Sequence, residues 1–372
     1  MKEPVSLQTV DRTHVRWGKR TLTSFSGCDY FRMASHPRVL KAAQAIIAKY
    51  GLSVSASRRT TGNHAVFLKL EQQLAEYFAA ESALLVSTGY AAAQVAAQAL
   101  AGNFSHALID EKAHPALQNA ALFLDCPVIR FSHRNVESLQ QTLTRLGPNT
   151  KPIVLTDGLF ASDGSVAPLK LYLRLLPREG RILVDDAHAA GVIGNTGKGS
   201  LEVEKVDRSR IIQCITLSKA FGAYGGAILG TRRFRSQMLE RSRAFIGSTA
   251  IPLPLAGAAL EAIALLRRDP RFRQRLIRNI KTLREKLVNA GFALSESPAP
   301  IVPILTDSKR ETTNLKRELL SAGIFPPLLQ YPGNPSDGYF RFVISSEHSS
   351  EQLDCLAQVL VGNHRPQSGR KT

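Results

Sequence analysis

Arg181-Ile182-Leu183-Val184-Asp185-Asp186-Ala187-His188-Ala189-Ala190-Gly191 decides the fold of this chain. Residues 182–184 are consecutively apolar. A short run without polar alternation fits a strand buried on both faces, as in a parallel sheet covered by helices. The acids that follow then stand at the carboxyl edge of the sheet, and Gly191 and Gly194 mark a turn beyond it. In open α/β sheets that edge is where ligands bind.

Comparable apolar runs occur at residues 83–86, 106–109, 128–131, 153–156, 211–216 and 227–229, mostly separated by helical or loop segments. The repetition predicts an α/β fold with a mostly parallel central sheet flanked by helices. An apolar helix is expected over residues 252–266. After it, runs at 301–305 and 340–344 enclose a helix at 312–322, which predicts a smaller α+β C-terminal domain. Residues 1–50 read as an N-terminal arm that ends in a helix, 38–49, started by Pro37 and stopped by Gly51. Residues 51–255 read as the large domain, 256–362 as the small domain and 363–372 as a polar, basic tail.

The chain has 372 residues, of which 44% are hydrophobic and 21% charged, so a core can form and wholesale disorder is excluded. No run of about 18 strongly apolar residues appears, and no membrane span is expected. Residues 1–11 lack an apolar leader segment, and Cys28, Cys126, Cys214 and Cys355 lie far apart without metal-ligand spacing. A cytoplasmic setting with free thiols and no bound metal is expected. Formal charge is +18, densest at residues 267–286, where nine cationic residues face two acids. Leu276, Ile280, Leu283 and Leu287 recur there at helical spacing, so one stripe packs and the rest is solvated. The alternatives are steering of an anionic substrate or a nucleic-acid surface. No zinc knuckle or aromatic RNP pattern accompanies the charge, and no nucleic-acid partner is expected.

Three strand ends carry groups suited to chemistry. Asp185 could hold a protonated ring nitrogen, with His188 contacting another group of the same ring; the alternative is loop capping and a structural histidine. Lys219 leaves residues 211–216 into a glycine-rich loop, where partial desolvation frees an amine for Schiff-base formation; the alternative is an ordinary solvated lysine. Thr88-Gly89-Tyr90 opens an Ala-rich helix whose free N–H groups and positive dipole end suit an anion; the alternative is a plain turn. His114 falls in the loop after another strand, where an imidazole could stack on a ring or simply sit at the surface. A carboxylate, an amine and an anion-binding helix start are together what pyridoxal phosphate requires.

With these residues in view, the chain resembles the α-oxoamine synthase family of fold type I pyridoxal-phosphate (PLP) enzymes. The resemblance covers residues 25–360 and rests on Asp29-Tyr30 with His36-Pro37, Gly62 before Leu70-Glu71, Thr88-Gly89-Tyr90, and Asp110 with His114. It also rests on Asp163-Gly164, residues 184–188 with Gly191, Gly194, Gly197 and Gly199, Thr216 through Lys219, Ser248-Thr249, and Arg341. It implies that Lys219 carries the cofactor and serves as base and acid, that Asp185 pairs with the ring nitrogen, that His188 contacts the ring's 3-oxygen and that His114 stacks on the ring. Gly89, Tyr90 and Thr216 would bind its phosphate. Ser248 and Thr249 would reach the phosphate of a neighbouring copy's cofactor in a homodimer that shares its active sites. Arg341 would hold the substrate carboxylate, and Cys28 would lie near the substrate.

The implied reaction is a decarboxylating condensation of an amino acid with an acyl-CoA. L-alanine and a pimeloyl thioester, as in biotin synthesis, are the expected pair. Alternatives are a glycine- or serine-using relative, or an aminotransferase or lyase on the same fold; a non-enzymatic basic binding protein is a third reading. The chain departs from the family pattern at several positions: Cys28 replaces Asn, Phe31-Arg32 replaces Leu-Gly, Phe67 replaces His, Ala161 replaces Ser, and residues 331–339 lack the usual Pro-rich run.

Overall fold

A computed structural model describes residues 6–294, 296–329 and 338–363. The tail beyond Asn363, and residues 331–337 of the segment without the Pro-rich run, lie outside the described residues. The chain forms two compact units, one of His36–Phe160 with Val166–Asp269, the other of Met1–Ser35, Ala161–Ser165 and Pro270–Thr372.

The larger unit holds a seven-stranded sheet in the order Ser82–Val86, Gly226–Gly230, Ile211–Thr216, Arg181–Asp185, Pro152–Asp157, His106–Asp110, Val128–Phe131. Gly226–Gly230 runs antiparallel to both neighbours, while the remaining pairs are parallel. Successive side chains feed opposite cores. Ile153, Leu155, Leu183, Ile212 and Cys214 face one cluster, together with the helix Gly89–Leu100. Val154, Ile182, Val184 and Ile211 face the other, with Phe160 and Tyr172. Both faces are dry, which explains why these strands read as unbroken apolar runs.

The expected domain boundary at 255/256 falls elsewhere. The helix Leu253–Arg268 packs on the helices Pro37–Tyr50 and Ala65–Tyr77, all within the larger unit. Gly257 permits this approach, since a Cβ there would stand 2.4 Å from Ile46 Cγ1. The helix anticipated at 38–49 is therefore part of the large unit rather than of an arm. His36 caps it by accepting from the Arg38 amide, and Gly51 ends it at φ +76°.

The smaller unit contains an antiparallel sheet of Ile301–Ile304, Tyr339–Val343 and Leu328–Leu329. A second sheet joins Gln8–Thr9, His14–Trp17, Arg20–Ser24 and Ile324–Phe325. The irregular arm expected at the N-terminus is thus a hairpin, turned at Gly18-Lys19 with Gly18 at φ +58°. Its helix Arg271–Asn289 buries Leu276, Ile280, Leu283 and Leu287, the stripe expected within the basic segment. Arg32 sits at φ +53°, where glycine is favoured and where the family pattern has Gly. Its guanidinium offsets part of that strain by donating to the Ser24 carbonyl at 3.2 Å. All four cysteines are free thiols. Among the described residues no helix is long and apolar enough to cross a membrane.

Candidate active site

The sheet's alternation carries through to its carboxyl edge. Asp157 continues the face of Ile153 and Leu155, Asp185 that of Leu183, and Thr216 that of Ile212 and Cys214. These three polar ends therefore point to the side on which the helix Gly89–Leu100 lies. There they line a cleft of about 230 Å³, together with Thr88, Gly89, Tyr90, His114, His188 and Lys219.

Each of these groups is held by a specific local device. Thr88 caps the helix Gly89–Leu100, its hydroxyl accepting from the Ala91 amide at 3.0 Å. The first N–H groups of that helix have no intrahelical acceptor and open toward the cleft mouth. The turn is wedged tight: a Cβ on Gly89 would lie 2.7 Å from Thr216 Cβ, and one on Gly226 would lie 2.4 Å from the Thr88 carbonyl oxygen. Lys219 is half-buried in a loop closed on itself. The Leu217 amide donates to the Gly225 carbonyl at 2.9 Å and the Ala223 amide to the Leu217 carbonyl at 2.9 Å. The Thr216 hydroxyl accepts from the Ser218 amide at 3.2 Å.

Asp185 and His188 are both buried. The Asp185 carboxylate accepts from the Ala187 amide at 3.0 Å, which holds the turn between them. Beneath them Asp186 is fully buried, accepting from Gln213 Nε2 at 2.6 Å and the Ser200 amide at 3.1 Å; burial pushes its carboxyl up to about 6. Asp186 thus fastens the loop and belongs to its framework rather than to the cleft.

His114 caps the helix Pro115–Ala121, its Nδ1 accepting from the Ala116 amide at 3.1 Å. Burial lowers its pKa, the Lys219 charge adds to that, and Asp185 opposes it. The ring is therefore neutral near pH 7 with its proton on Nε2. Tyr90 meets it edge-on, ring centroids 6.3 Å apart, and the Tyr90 hydroxyl accepts from Asn119 Nδ2.

The structure gathers Gly89, Tyr90, His114, Asp185, His188, Thr216 and Lys219 at one cleft. It does not bring Ser248 and Thr249 there; they line a separate small cavity with Arg58, Phe67 and Ile251. Phe67, where the family pattern has His, is fully buried with the Arg58 guanidinium 5.4 Å above its ring. In the smaller unit, Cys28 and Arg341 are neighbours of Tyr30, whose hydroxyl is pushed up by burial and by its bond to Cys28. The cleft also contains Asp157, one residue beyond the apolar run expected at 153–156, because the strand extends over Pro152–Asp157. The strand-end rule that singled out Asp185 applies equally to Thr156-Asp157-Gly158.

A family profile described as aminotransferase class I and II matches residues 21–360. The chain belongs to the aminotransferase class I and II family. Its relatives include 8-amino-7-oxononanoate synthase of Thioalkalivibrio sulfidiphilus, 33% identical over 344 residues, spanning 92% of this chain and 88% of that one. 8-Amino-7-oxononanoate synthase 2 of Bacillus subtilis is 32% identical over 338 residues, 90% and 86% of the two chains. Among solved structures, a serine palmitoyltransferase from S. paucimobilis with bound PLP superposes at a TM-score of 0.89 with 24% identity, covering 96% and 92%. An 8-amino-7-oxononanoate synthase from Francisella tularensis gives 0.80 with 22% identity, covering 92% and 97%. At those identities the structural likeness establishes the fold of this aminotransferase-family chain, a fold type I α/β architecture.

Proposed function

We propose that this chain is a PLP-dependent condensing enzyme of the 8-amino-7-oxononanoate synthase type. It joins an amino acid, L-alanine, to a pimeloyl thioester with loss of carbon dioxide and release of the thiol. The observation that carries the reading is the single cleft in which Lys219, Asp185, His114 and the Gly89 helix start converge.

The residues present fit the cofactor. The Gly89 turn, packed against Thr216, sits at a helix N-terminus suited to phosphate. The Tyr90 amide and the Thr216 hydroxyl complete a cradle there. Asp185 supplies a buried anion for the ring nitrogen, and His188 stands three residues on for the ring's 3-oxygen. The neutral His114 imidazole offers its face to the ring without competing charge. Bound there, pyridoxal phosphate supplies an electron sink for negative charge at the amino acid's Cα.

The chain's own residues do the rest. Asp185 keeps the proton on the ring nitrogen, because an opposite charge in a buried site favours the ionised form. Lys219 Nζ holds the cofactor in the resting state, then takes the proton from Cα and returns it after carbon dioxide leaves. Arg341 is assigned to the amino acid's carboxylate by a bidentate pair, and Cys28 to the neighbourhood of the substrate. Ser248 and Thr249 are assigned to the cofactor phosphate of a second copy in a homodimer. The acyl donor is assigned as the CoA thioester, whose phosphates suit a chain of formal charge +18, and the setting as cytoplasmic.

A matrix of amino acids against acyl-CoAs, scored by thiol release and carbon dioxide, tests the reading. Equimolar thiol and carbon dioxide, dependent on both L-alanine and pimeloyl-CoA, are expected. Conversion of amino acid to keto acid without thiol release would instead make the chain an aminotransferase, and a best rate with glycine or serine would make it a different condensing enzyme.

A further inference from the structure

The proposed reaction uses one carboxylate at the base of the cleft, yet the cleft holds two. Asp157 and Asp185 are paired in register on adjacent parallel strands, which places their Cα atoms about 4.8 Å apart with side chains on the same face. Only 6% of Asp157 and 8% of Asp185 is exposed. The titratable groups that share the cleft with them are Tyr90, His114, His188 and Lys219. Asp110, on the strand at the other side of Asp157, is already engaged by His133 Nδ1 at 2.9 Å and by the Lys112 and Arg134 amides at 2.9 and 2.8 Å. The His114 imidazole is neutral and its Nδ1 is occupied. Lys219 is a cation that Asp157 senses from the loop, and on the cofactor reading its amine is taken up in holding the ring. The His114 backbone amide donates to Asp157 Oδ1 at 2.9 Å, a bond that a charged carboxylate accepts more strongly but that an uncharged carboxyl still accepts.

We propose that Asp157 is a positioning residue: as an uncharged carboxyl it holds the His114 backbone, and so the imidazole that caps Pro115–Ala121, in place, and it leaves Asp185 as the single anion for the ring nitrogen. Two adjacent buried carboxyls cannot both ionise cheaply. Burial and then the Asp185 charge push Asp157 well above the usual carboxylate range, against the weaker pull of the His114 amide and Lys219. The inference rests on the cofactor reading for Asp185, and its test has an arm that does not.

In Asp157→Asn the acceptor and the neutrality both survive; in Asp157→Ala the His114 N–H is left without its acceptor. Titration of the apoprotein with pyridoxal phosphate is expected to give an affinity within about 3-fold of wild type for Asn and at least about 10-fold weaker for Ala. The pH at which the bound cofactor's absorption band changes should be the same in wild type and the Asn variant. A midpoint moved by about one pH unit or more in Asp157→Asn would show a lost negative charge and overturn the proposal, as would wild-type affinity in Asp157→Ala. The arm free of cofactor is infrared difference spectroscopy of the apoprotein at pH 7. A protonated-carboxyl band present in wild type and missing from Asp157→Asn is expected, and its absence from wild type would overturn the proposal even if no cofactor bound. Wild type that shows the band but binds no pyridoxal phosphate would refute the cofactor reading and leave Asp157 neutral as proposed.

Discussion

Gly89→Ala is the substitution whose consequence follows most directly from the packing. The new Cβ would stand 2.7 Å from Thr216 Cβ and 3.0 Å from Thr216 Oγ1, where ordinary contact begins at 3.4 Å. Thr216 Cβ cannot rotate away, since it is fixed by the strand Ile211–Thr216. Thr88 cannot easily retreat either, because Gly226, paired in register with Thr216, lies against its carbonyl. The turn must therefore move by roughly 0.7 Å, the difference between those distances, and it carries the helix N–H groups and the Thr216 hydroxyl out of mutual alignment. Overpacking of this size costs about 1–3 kcal/mol, and if it falls on the phosphate cradle it weakens cofactor affinity by about 5- to 150-fold. The assay is equilibrium titration of the apoprotein with pyridoxal phosphate, with thermal unfolding in parallel. Thr216→Ala should not rescue the variant, because the clashing atom is the Cβ that Ala retains. Wild-type affinity in Gly89→Ala would refute the placing of phosphate at this helix start.

Three further outcomes are expected. Asp185→Asn should lower turnover at least about 100-fold, since a neutral partner forfeits about 3 kcal/mol of charge-assisted bonding to the ring nitrogen; steady-state kinetics check it, and near-normal turnover would remove the assignment. Arg341→Ala should raise the KM for the amino acid about 10-fold or more with cofactor affinity unchanged, so a change in affinity alone would count against a substrate role. His348 is buried, donating from Nε2 to the Ser24 carbonyl at 3.0 Å and accepting at Nδ1 from the Ser345 amide at 3.0 Å, and burial holds its pKa down to about 3. Its neutral form stabilises the fold fully above the unfolded value of about 6.5, and that contribution falls by about 1.4 kcal/mol per pH unit as pH drops toward 3. Urea unfolding at pH 6.5 and pH 5 should therefore show a loss near 2 kcal/mol in wild type that is absent from His348→Gln, and equal losses in both would contradict it.

The central sheet was legible because its strands are dry on both faces, so residues such as 182–184 and 211–216 carry no polar interruption. The reversed direction of Gly226–Gly230 left no such mark, since an antiparallel strand buried on both faces has the same composition as a parallel one. The N-terminal hairpin is hard to read because His14–Trp17 and Arg20–Ser24 are short and bury only Leu22 and Ser24, although Gly18-Lys19 between them is a recognisable two-residue turn. The boundary near residue 255 failed for a packing reason: Leu253–Arg268 is apolar nearly all round because two helices of the larger unit cover it. At the cleft, Asp185 is legible as an acid that ends an apolar run, and His188, Lys219 and His114 as reactive groups in the loops that follow such runs. Asp157 carries the same signature and shows that the rule must be applied to every strand of the sheet.

The claim on which the account depends is that the amine of Lys219 and the carboxylate of Asp185 serve one PLP ring. Borohydride reduction of the protein loaded with one equivalent of cofactor, followed by peptide mass mapping, measures this directly. A pyridoxyl group on Lys219 alone is the predicted result; a group on other lysines, or on none, would contradict it.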